Sequence, residues 1–203
     1  MADPGYIVDG VLTDPEAWIS LASTTLGSNG PNVTFTSPAD GSSKDWSQFN
    51  DLVLIIFAQT ANTGYGNNQV RLRLNNDSGG GGNKYGWQGL RGDGTSVVAG
   101  TSLNDYMMTA RIPGAKTSGA VTQTAMFGGS ITRFFDINGG QGKNLLVAAA
   151  SEASNSGNFE INGFTWDNQD PIIEIDIEQY GYEDYITGST FHLWGVLPRM
   201  VAP

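Results

Sequence analysis

The sequence predicts an all-β protein, an antiparallel and jelly-roll-like β-sandwich of roughly ten to eleven strands with a short N-terminal arm. Three observations support this fold class. Short segments alternate apolar and polar residues, residues typical of turns separate them at regular intervals, and glycine accounts for 28 of the 203 residues. No segment carries an apolar stripe of helical period over three turns, so we expect strands along the whole chain.

Residues 1–20 differ in composition from the rest of the chain. They combine prolines and acidic residues with scattered apolar side chains. We expect this segment to be an arm that docks on a neighbouring subunit, and the alternative is a leader without a fixed partner. The β-sandwich domain then spans residues 21–197, and residues 198–203 form a C-terminal tail. The residues expected to make the docking contact are Tyr6, Ile7, Val8, Val11, Leu12 and Trp18.

The first half of the domain contains four clear strand patterns. The segments LASTTLG and NVTFTS flank a turn at residues 28–31. A nearly continuous apolar run at residues 51–60 predicts a central strand that is covered on both faces. Strict alternation at residues 69–75 directs its valine and leucines inward and its arginines outward. We expect residues 75–83 to form the tip of a hairpin whose return strand begins at residues 85–87.

The second half continues with strand patterns in YMMTARIPG, SITRFFDI, NLLVAAASEA, FEINGFTW, PIIEIDIEQY and STFHLWGV. The alanines of NLLVAAASEA favour helix, but the short length of this segment and its strand-like neighbours favour a strand. In FEINGFTW we expect Phe159, Ile161 and Phe164 to point inward. In PIIEIDIEQY we expect Ile173, Ile175 and Ile177 to share one face, and the other face carries Glu174, Asp176 and Glu178.

The charge balance excludes several classes of partner. The formal net charge is −10, and the ten lysines and arginines do not cluster, so the basic stripe that nucleic-acid binding needs is missing. An anionic membrane would repel such a chain, and no apolar run is long enough to insert. The N-terminus lacks the basic and apolar regions of a signal peptide. We therefore expect a protein that is made in a cytoplasm and is soluble there.

Residues that could carry catalysis or bind a metal are few. There is no cysteine and one histidine, His192; no G-x-S-x-G motif accompanies it, and zinc sites need more ligands of these types. Residues 144–198 hold nine acidic residues and no lysine or arginine. This cluster could be a solvated or partner-facing surface, a Ca²⁺ site using the loop at 166–170, or a glycosidase pair. We expect a solvated or partner-facing surface, and therefore a protein that is not an enzyme and binds no cofactor.

Two further motifs lie in the glycine-rich stretch at residues 71–95. A phosphate-binding loop would need G-x-x-x-x-G-K-[ST] at the start of a helix, and strand-like residues follow the four glycines instead. The Arg91–Asp93 triplet, Arg-Gly-Asp, reads as an ordinary turn. Aromatic rings can stack on sugars or pack against a subunit, and more often they lie in a core. The aromatic residues that we expect to contact a receptor or a subunit are Trp87, Trp166 and Tyr182.

Several motifs resemble a known family. They are R-L-R-L-N with the turn N-D-S-G, then Y-G-W-Q-x-L-x-G-D-G, R-I-P-G-A at 111–115, and T-G-S-T-F-H-L-W-G-V at 187–196. This order resembles the β-sandwich modules of tail-fibre and capsid-decoration type on the virion surface of tailed bacteriophages, especially marine and cyanobacterial phages. Here Trp194 and Thr187 stand where the family has tyrosine and alanine, and the glycine run is longer.

The resemblance implies a non-enzymatic structural or recognition module that is often trimeric, with no catalytic residues. Only a short arm and a short tail flank the sandwich, so without a shaft we expect a capsid decoration (cement) subunit on the virion surface. The alternative is a tail-fibre or tail-tip module that recognises a host surface glycan. The expected partners are two further copies of the chain and other capsid or tail proteins.

Overall fold

The structure is a computed structural model that describes residues 7–8, 11–12, 18–61, 68–78, 84–92, 96–114, 117–118, 121–122, 126–153, 156–181 and 183–197. Within these ranges the chain forms strands and turns, a 3₁₀ turn at Trp46–Gln48 and no α-helix. Accordingly, this part of the chain has no helix of the length and hydropathy that a membrane crossing requires. The strands are β1 (Ile7–Val8), β2 (Val11–Leu12), β3 (Trp18–Thr25), β4 (Asn32–Thr36), β5 (Asp51–Ala58), β6 (Asn68–Leu74), β7 (Tyr85–Gly92), β8 (Val97–Asn104), β9 (Met107–Ile112), β10 (Thr117–Ser118), β11 (Val121–Thr122), β12 (Gly128–Phe135), β13 (Lys143–Ala153), β14 (Ser156–Trp166), β15 (Glu174–Tyr180) and β16 (Thr190–Val196).

Two antiparallel sheets build the domain. The larger has eight strands in the order β3-β16-β5-β12-β13-β14-β7-β8, and the smaller has four in the order β4-β15-β6-β9. Two short ladders, β1–β2 and β10–β11, are separate from both sheets. The all-β sandwich that the sequence predicts is therefore confirmed. The alanine-rich segment is strand β13, because pairing with β12 and β14 along its length outweighs the weak helical preference of alanine.

The core lies between the two sheets and follows the predicted alternation in several strands. In β6 the valine and both leucines are fully buried, as are the two isoleucines of β15. The expectation that Ile173 shares their face is wrong, because Ile173 precedes the strand and is 52 % exposed, while Ile172 is buried instead. Large aromatic side chains fill the space between them, and burial of each contributes roughly 1.5 to 3 kcal/mol. The buried aromatic residues are Phe35, Trp46, Phe49, Tyr85, Phe134, Phe164, Trp166, Tyr185 and Phe191.

The glycine-rich stretch does not form the predicted hairpin. Strand β6 pairs with β15 and β9 in the small sheet, whereas β7 pairs with β14 and β8 in the large sheet. The connection between them therefore crosses from one sheet to the other. Tyr85 stabilises this crossing, because its hydroxyl accepts a hydrogen bond from the Leu74 amide (3.1 Å) and donates one to the Asp77 carbonyl (3.0 Å).

The large sheet is wider than the small sheet that covers it. Edge strand β9 of the small sheet packs across β12, β13 and β14. Strands β7 and β8 lie beyond this edge as an overhang. The inner side of the overhang and the flank of β9 border a cleft, which we call the overhang cleft.

Candidate functional site

The side of the large sheet that faces away from the small sheet, here called the outer face, carries two adjacent apolar rows. Register aligns Ile55, Ile131, Ala148, Ile161 and Leu90 across five neighbouring strands. A parallel row begins at Phe57 on β5 and continues to Val97 on β8. The rows form a continuous apolar surface over more than half of the sheet.

Eight large apolar side chains of the outer face are exposed by 40 to 77 %. With roughly 150 to 250 Å² of surface per large side chain, they expose on the order of 700 Å² together. The largest apolar patch on a typical monomer is about 300 to 600 Å², whereas a stable interface buries about 800 Å² on each partner. We call these eight residues the apolar patch: Phe57, Leu90, Val97, Leu103, Ile131, Leu146, Phe159 and Ile161.

The charges on the outer face neutralise each other. Among its described side chains, Asp51 and Arg133 are the charged ones, and they form an ion pair with 2.6 Å between Oδ2 and an arginine Nη. Arg133 also lies over the Phe135 ring, 5.1 Å from its centroid. The acidic side chains of β15 project from the opposite side of the sandwich. The described charges of the outer face therefore cancel, in a chain of net charge −10.

Strand β14 reverses the predicted orientation of its first half. Phe159 and Ile161 are 54 % and 44 % exposed on the outer face, while Glu160 and Asn162 are buried on the inner side. The expectation that Phe159 and Ile161 point inward is wrong, and that for Phe164 is confirmed. The physical reason is that this end of β14 faces the overhang cleft, which accepts polar side chains. In β5 the expected cover on both faces holds for the first half, where Val53 is 1 % exposed on the outer face, and fails at Phe57, which is 51 % exposed on that face.

The predicted docking arm is only partly described. Trp18 begins β3 and lies on the outer face, 46 % exposed, at the edge opposite β8. Ile7, Val8, Val11 and Leu12 form the β1–β2 ladder, and their side chains lie outside the described part of the structure. Tyr6 and the tail at 198–203 also lie outside it. The arm therefore stays a prediction, to which the structure adds that Trp18 shares a face with the apolar patch.

The inner side of the overhang presents Trp87 on a base of glycines. The Trp87 indole extends along the sheet over Gly89 and Gly100, because a Cβ at Gly100 would lie 2.7 Å from its Cη2 and a Cβ at Gly89 would lie 3.0 Å from its Nε1. Its Nε1–H donates to Asn162 Oδ1 at 3.1 Å. The indole is thus fixed at its edge, with the ring face away from the sheet bordering the cleft.

A polar row borders the indole on its other side. Arg111 Nε donates to Glu160 Oε1 at 2.6 Å, which joins the edge of the small sheet to β14. Arg91 lies opposite Glu160 in the β7–β14 register, yet the carboxylate pairs with Arg111 instead. The buried Nε of Arg91 has no hydrogen-bond partner among the described residues. The cleft, about 200 Å³ in volume, therefore holds an indole, an ion pair and the Arg91 guanidinium, whose Nε lacks a described partner.

Trp166 is removed from the set of receptor-contact candidates. Its side chain is completely buried, stacks on Tyr85 with 6.4 Å between ring centroids, and donates from Nε1 to Asp77 Oδ2 at 3.0 Å. In this fold its side chain fills the core and is not exposed at the surface. Tyr182 lies outside the described residues, so that candidate stays a prediction, whereas Trp87 does border a cleft.

Acidic side chains of β15 are paired with side chains of the two neighbouring strands. Arg71 and Arg73 of β6 both bind the Glu178 carboxylate, with 3.0 Å from Arg73. The Thr34 hydroxyl donates to Asp176 at 2.7 Å. Part of the negative charge that we expected to face solvent or a basic partner is therefore balanced by arginines of the neighbouring strand β6. The sequence pattern did not show this pairing, because β6 and β15 are far apart along the chain.

The ammonium group of Lys143, on β13, lies against the loop at residues 166–170. The Lys143 ammonium is buried and donates to the carbonyls of Gly139, Gln141 (2.8 Å) and Gln169 (3.2 Å). Desolvation lowers the pKa of Lys143, and Asp136 and Asp170 oppose that shift. Across the described residues no group of three or more histidine, aspartate or glutamate side chains is placed to hold a metal ion. The expectation that the chain holds no cofactor stays a prediction.

His192 lacks the arrangement of a catalytic triad. Its Nδ1 lies 2.8 Å from Ser23 Oγ on the neighbouring strand. In a triad the nucleophilic serine contacts Nε2 and a carboxylate occupies Nδ1. Here the hydroxyl takes the carboxylate's position, so the pair resembles a cross-strand contact between polar surface groups.

Reasoning from the sequence singled out Trp87 but missed the other cleft residues and the apolar patch. The signal was present in FEINGFTW, where apolar residues change from odd to even positions at Gly163. Such a change places apolar side chains on both faces of one strand. Comparison of the chain with protein-family models, curated proteins and solved structures found no match.

Proposed function

We propose that this chain is a non-enzymatic structural protein of a bacteriophage virion, displayed on the particle surface as a capsid decoration subunit. The observation that carries the proposal is the apolar patch on the outer face. An apolar patch larger than a typical monomer exposes marks a surface that interacts with another molecule, most often a protein. The phage assignment comes from the sequence motifs, and the patch supports an assembling protein over a monomeric one.

The partner that the patch fits is a further copy of this chain. Two copies that each carry a net charge of −10 repel at most surfaces. The outer face avoids this repulsion, because its described charges are one internal ion pair. Its exposed apolar area also matches what one partner contributes to a stable interface, about 800 Å². We propose a homo-oligomer, with the trimer as the stoichiometry that the resemblance implies.

Immunogold labelling of purified phage particles tests the location. Antibodies against the folded chain should label the capsid surface. Labelling confined to the tail would replace the decoration role with the tail role described next. Absence of the chain from the particles, checked by mass spectrometry of their proteins, would overturn the virion assignment.

A tail-fibre or tail-tip subunit that recognises a host glycan is the second candidate function. The overhang cleft favours it, because an aromatic ring beside fixed hydrogen-bonding groups is typical of small-ligand sites. Purified chain should then compete with phage for adsorption to host cells. Trp87→Ala should lose this competition while the oligomer persists. Equal competition by both proteins would exclude the cleft as the receptor site.

A further inference from the structure

We infer that the overhang cleft binds one ring of an acidic saccharide, a sugar that carries a carboxylate. This inference rests on the glycan-recognition candidate and names its ligand class. It does not depend on the assembly role, because the cleft lies on the inner side of the large sheet and the apolar patch on the outer face.

The first step is the position of the indole. Gly89 and Gly100 face each other across β7 and β8, and neither has a side chain to lift the Trp87 ring off the sheet. The hydrogen bond from the indole Nε1–H to Asn162 holds the side-chain torsions of Trp87 in one orientation. A flat, fixed aromatic face is the surface on which the C–H face of a sugar ring stacks, with little loss of side-chain entropy on binding.

The second step is the set of polar groups beside the ring. Asn162 is buried, and its Nδ2 donates to the Thr109 carbonyl at 3.4 Å, so the amide orientation is fixed. The ion pair between Arg111 and Glu160 supplies both donors and acceptors at the cleft wall. Hydroxyl groups of a sugar need both, because each hydroxyl donates one hydrogen bond and accepts others.

The third step is the charge of the cleft. Its lining contains two guanidinium groups and one carboxylate, so it is net positive within an acidic protein. The carboxylate is engaged by Arg111, and the buried Nε of Arg91 lacks an acceptor among the described residues. A buried unpaired donor costs free energy until an acceptor arrives. A ligand carboxylate is the acceptor that suits a guanidinium, because the two planar groups match in geometry.

The volume limits the occupant to a small ring. The cleft measures about 200 Å³, whereas sites for larger organic ligands span roughly 300 to 1,000 Å³. One sugar ring with its carboxylate toward Arg91 and its C–H face on Trp87 suits this space. Neighbouring sugars of a polysaccharide would extend along the open side of the overhang.

Titration of the ¹⁵N-labelled full chain with D-glucuronate or D-glucose, followed by NMR of the indole N–H groups, tests the inference. At about 10 mM sugar a site with a Kd of roughly 1 mM is mostly filled. Glucuronate should shift the Trp87 signal and bind about tenfold more tightly than glucose, since a charge-assisted hydrogen bond is involved. Trp87→Phe assigns the signal, and Trp18 is an exposed internal reference.

Arg91→Gln should weaken glucuronate binding about tenfold and leave glucose binding unchanged. Arg73→Gln, on the small sheet, is the matched control and should change neither. Equal binding of both sugars by the natural chain, or an unshifted Trp87 signal with either, would overturn the inference. Intact oligomer and virion incorporation alongside such a result would leave the assembly role standing, so the two failures are distinguishable.

Discussion

Replacing Ile161 with glutamate should dissociate the oligomer without unfolding the chain. Ile161 occupies the middle of the apolar patch, between Ala148 and Leu90 in the register, and is 44 % exposed. Complete burial of such a side chain contributes roughly 1.5 to 3 kcal/mol, so burial of its exposed part contributes about 1 kcal/mol per copy. An unpaired buried carboxylate costs several kcal/mol more.

With about 4 kcal/mol lost per interface, association should weaken roughly a thousandfold. Sedimentation velocity and multi-angle light scattering over a range of protein concentrations measure the change. The natural chain should behave as an oligomer and Ile161→Glu as a monomer. Circular dichroism should show the same β-sheet signal for both, because the substituted side chain is already half exposed to water in the single chain.

Ile173→Glu is the matched control. Ile173 has the same side chain and a similar exposure, 52 %, but it precedes β15 at the small sheet. This variant should keep the mass of the natural oligomer. A monomeric natural chain, or equal dissociation by the two variants, would refute the assignment of the outer face as the subunit interface.

Three further predictions concern stability and the cleft. Lys143→Met should lower the free energy of unfolding by about 2 to 4 kcal/mol in urea titrations, because three carbonyls lose their buried donor; an unchanged midpoint would contradict this role. A hydrogen bond from the Ser47 backbone amide lowers the pKa of Asp45 below its ordinary value of 3.8. The Asp45 carboxylate therefore stabilises the fold fully above pH 3.8, and this stabilisation is lost as the pH falls through the lowered pKa. Asp45→Asn should flatten this acid dependence in thermal melts between pH 2 and 5, and a slope as steep as that of the natural chain would refute it. Gly100→Ala should displace the Trp87 ring and weaken sugar binding, whereas Gly27→Ala, where a Cβ would have nothing within 4 Å, should leave it intact; equal binding by both variants would show that the ring position is unimportant.

Strand β14 shows how alternation can be read correctly and still be assigned to the wrong face. The period of two residues in FEIN is real, and the strand is where the sequence predicts it. In the oligomer that we propose, a partner surface and not the chain's own core would cover the apolar residues that point outward here. Apolar residues of a strand can be assigned to the core only when no other apolar surface, such as a subunit interface, can cover them.

The glycine-rich stretch shows a second limit. Neighbouring strands along a chain usually pair, so a hairpin from β6 to β7 was the simplest expectation. The two strands instead belong to different sheets. Trp87 thereby reaches the inner side of the overhang, beside Arg111 and Glu160, and no spacing in the sequence brings these three residues together.

The all-β class, the strands of the two sheets other than β8, and the buried alternation of β6 and β15 were determined by the sequence alone, because strand preference and the two-residue period are local properties of the backbone. The tertiary structure decided which sheet each strand joins, and with it the overhang, the cleft and the outer face. It also decided the partners of charged groups, such as Glu178 with the two arginines of β6. These features depend on contacts between segments far apart in the chain, and a local pattern carries no information on which of two equivalent faces will be covered.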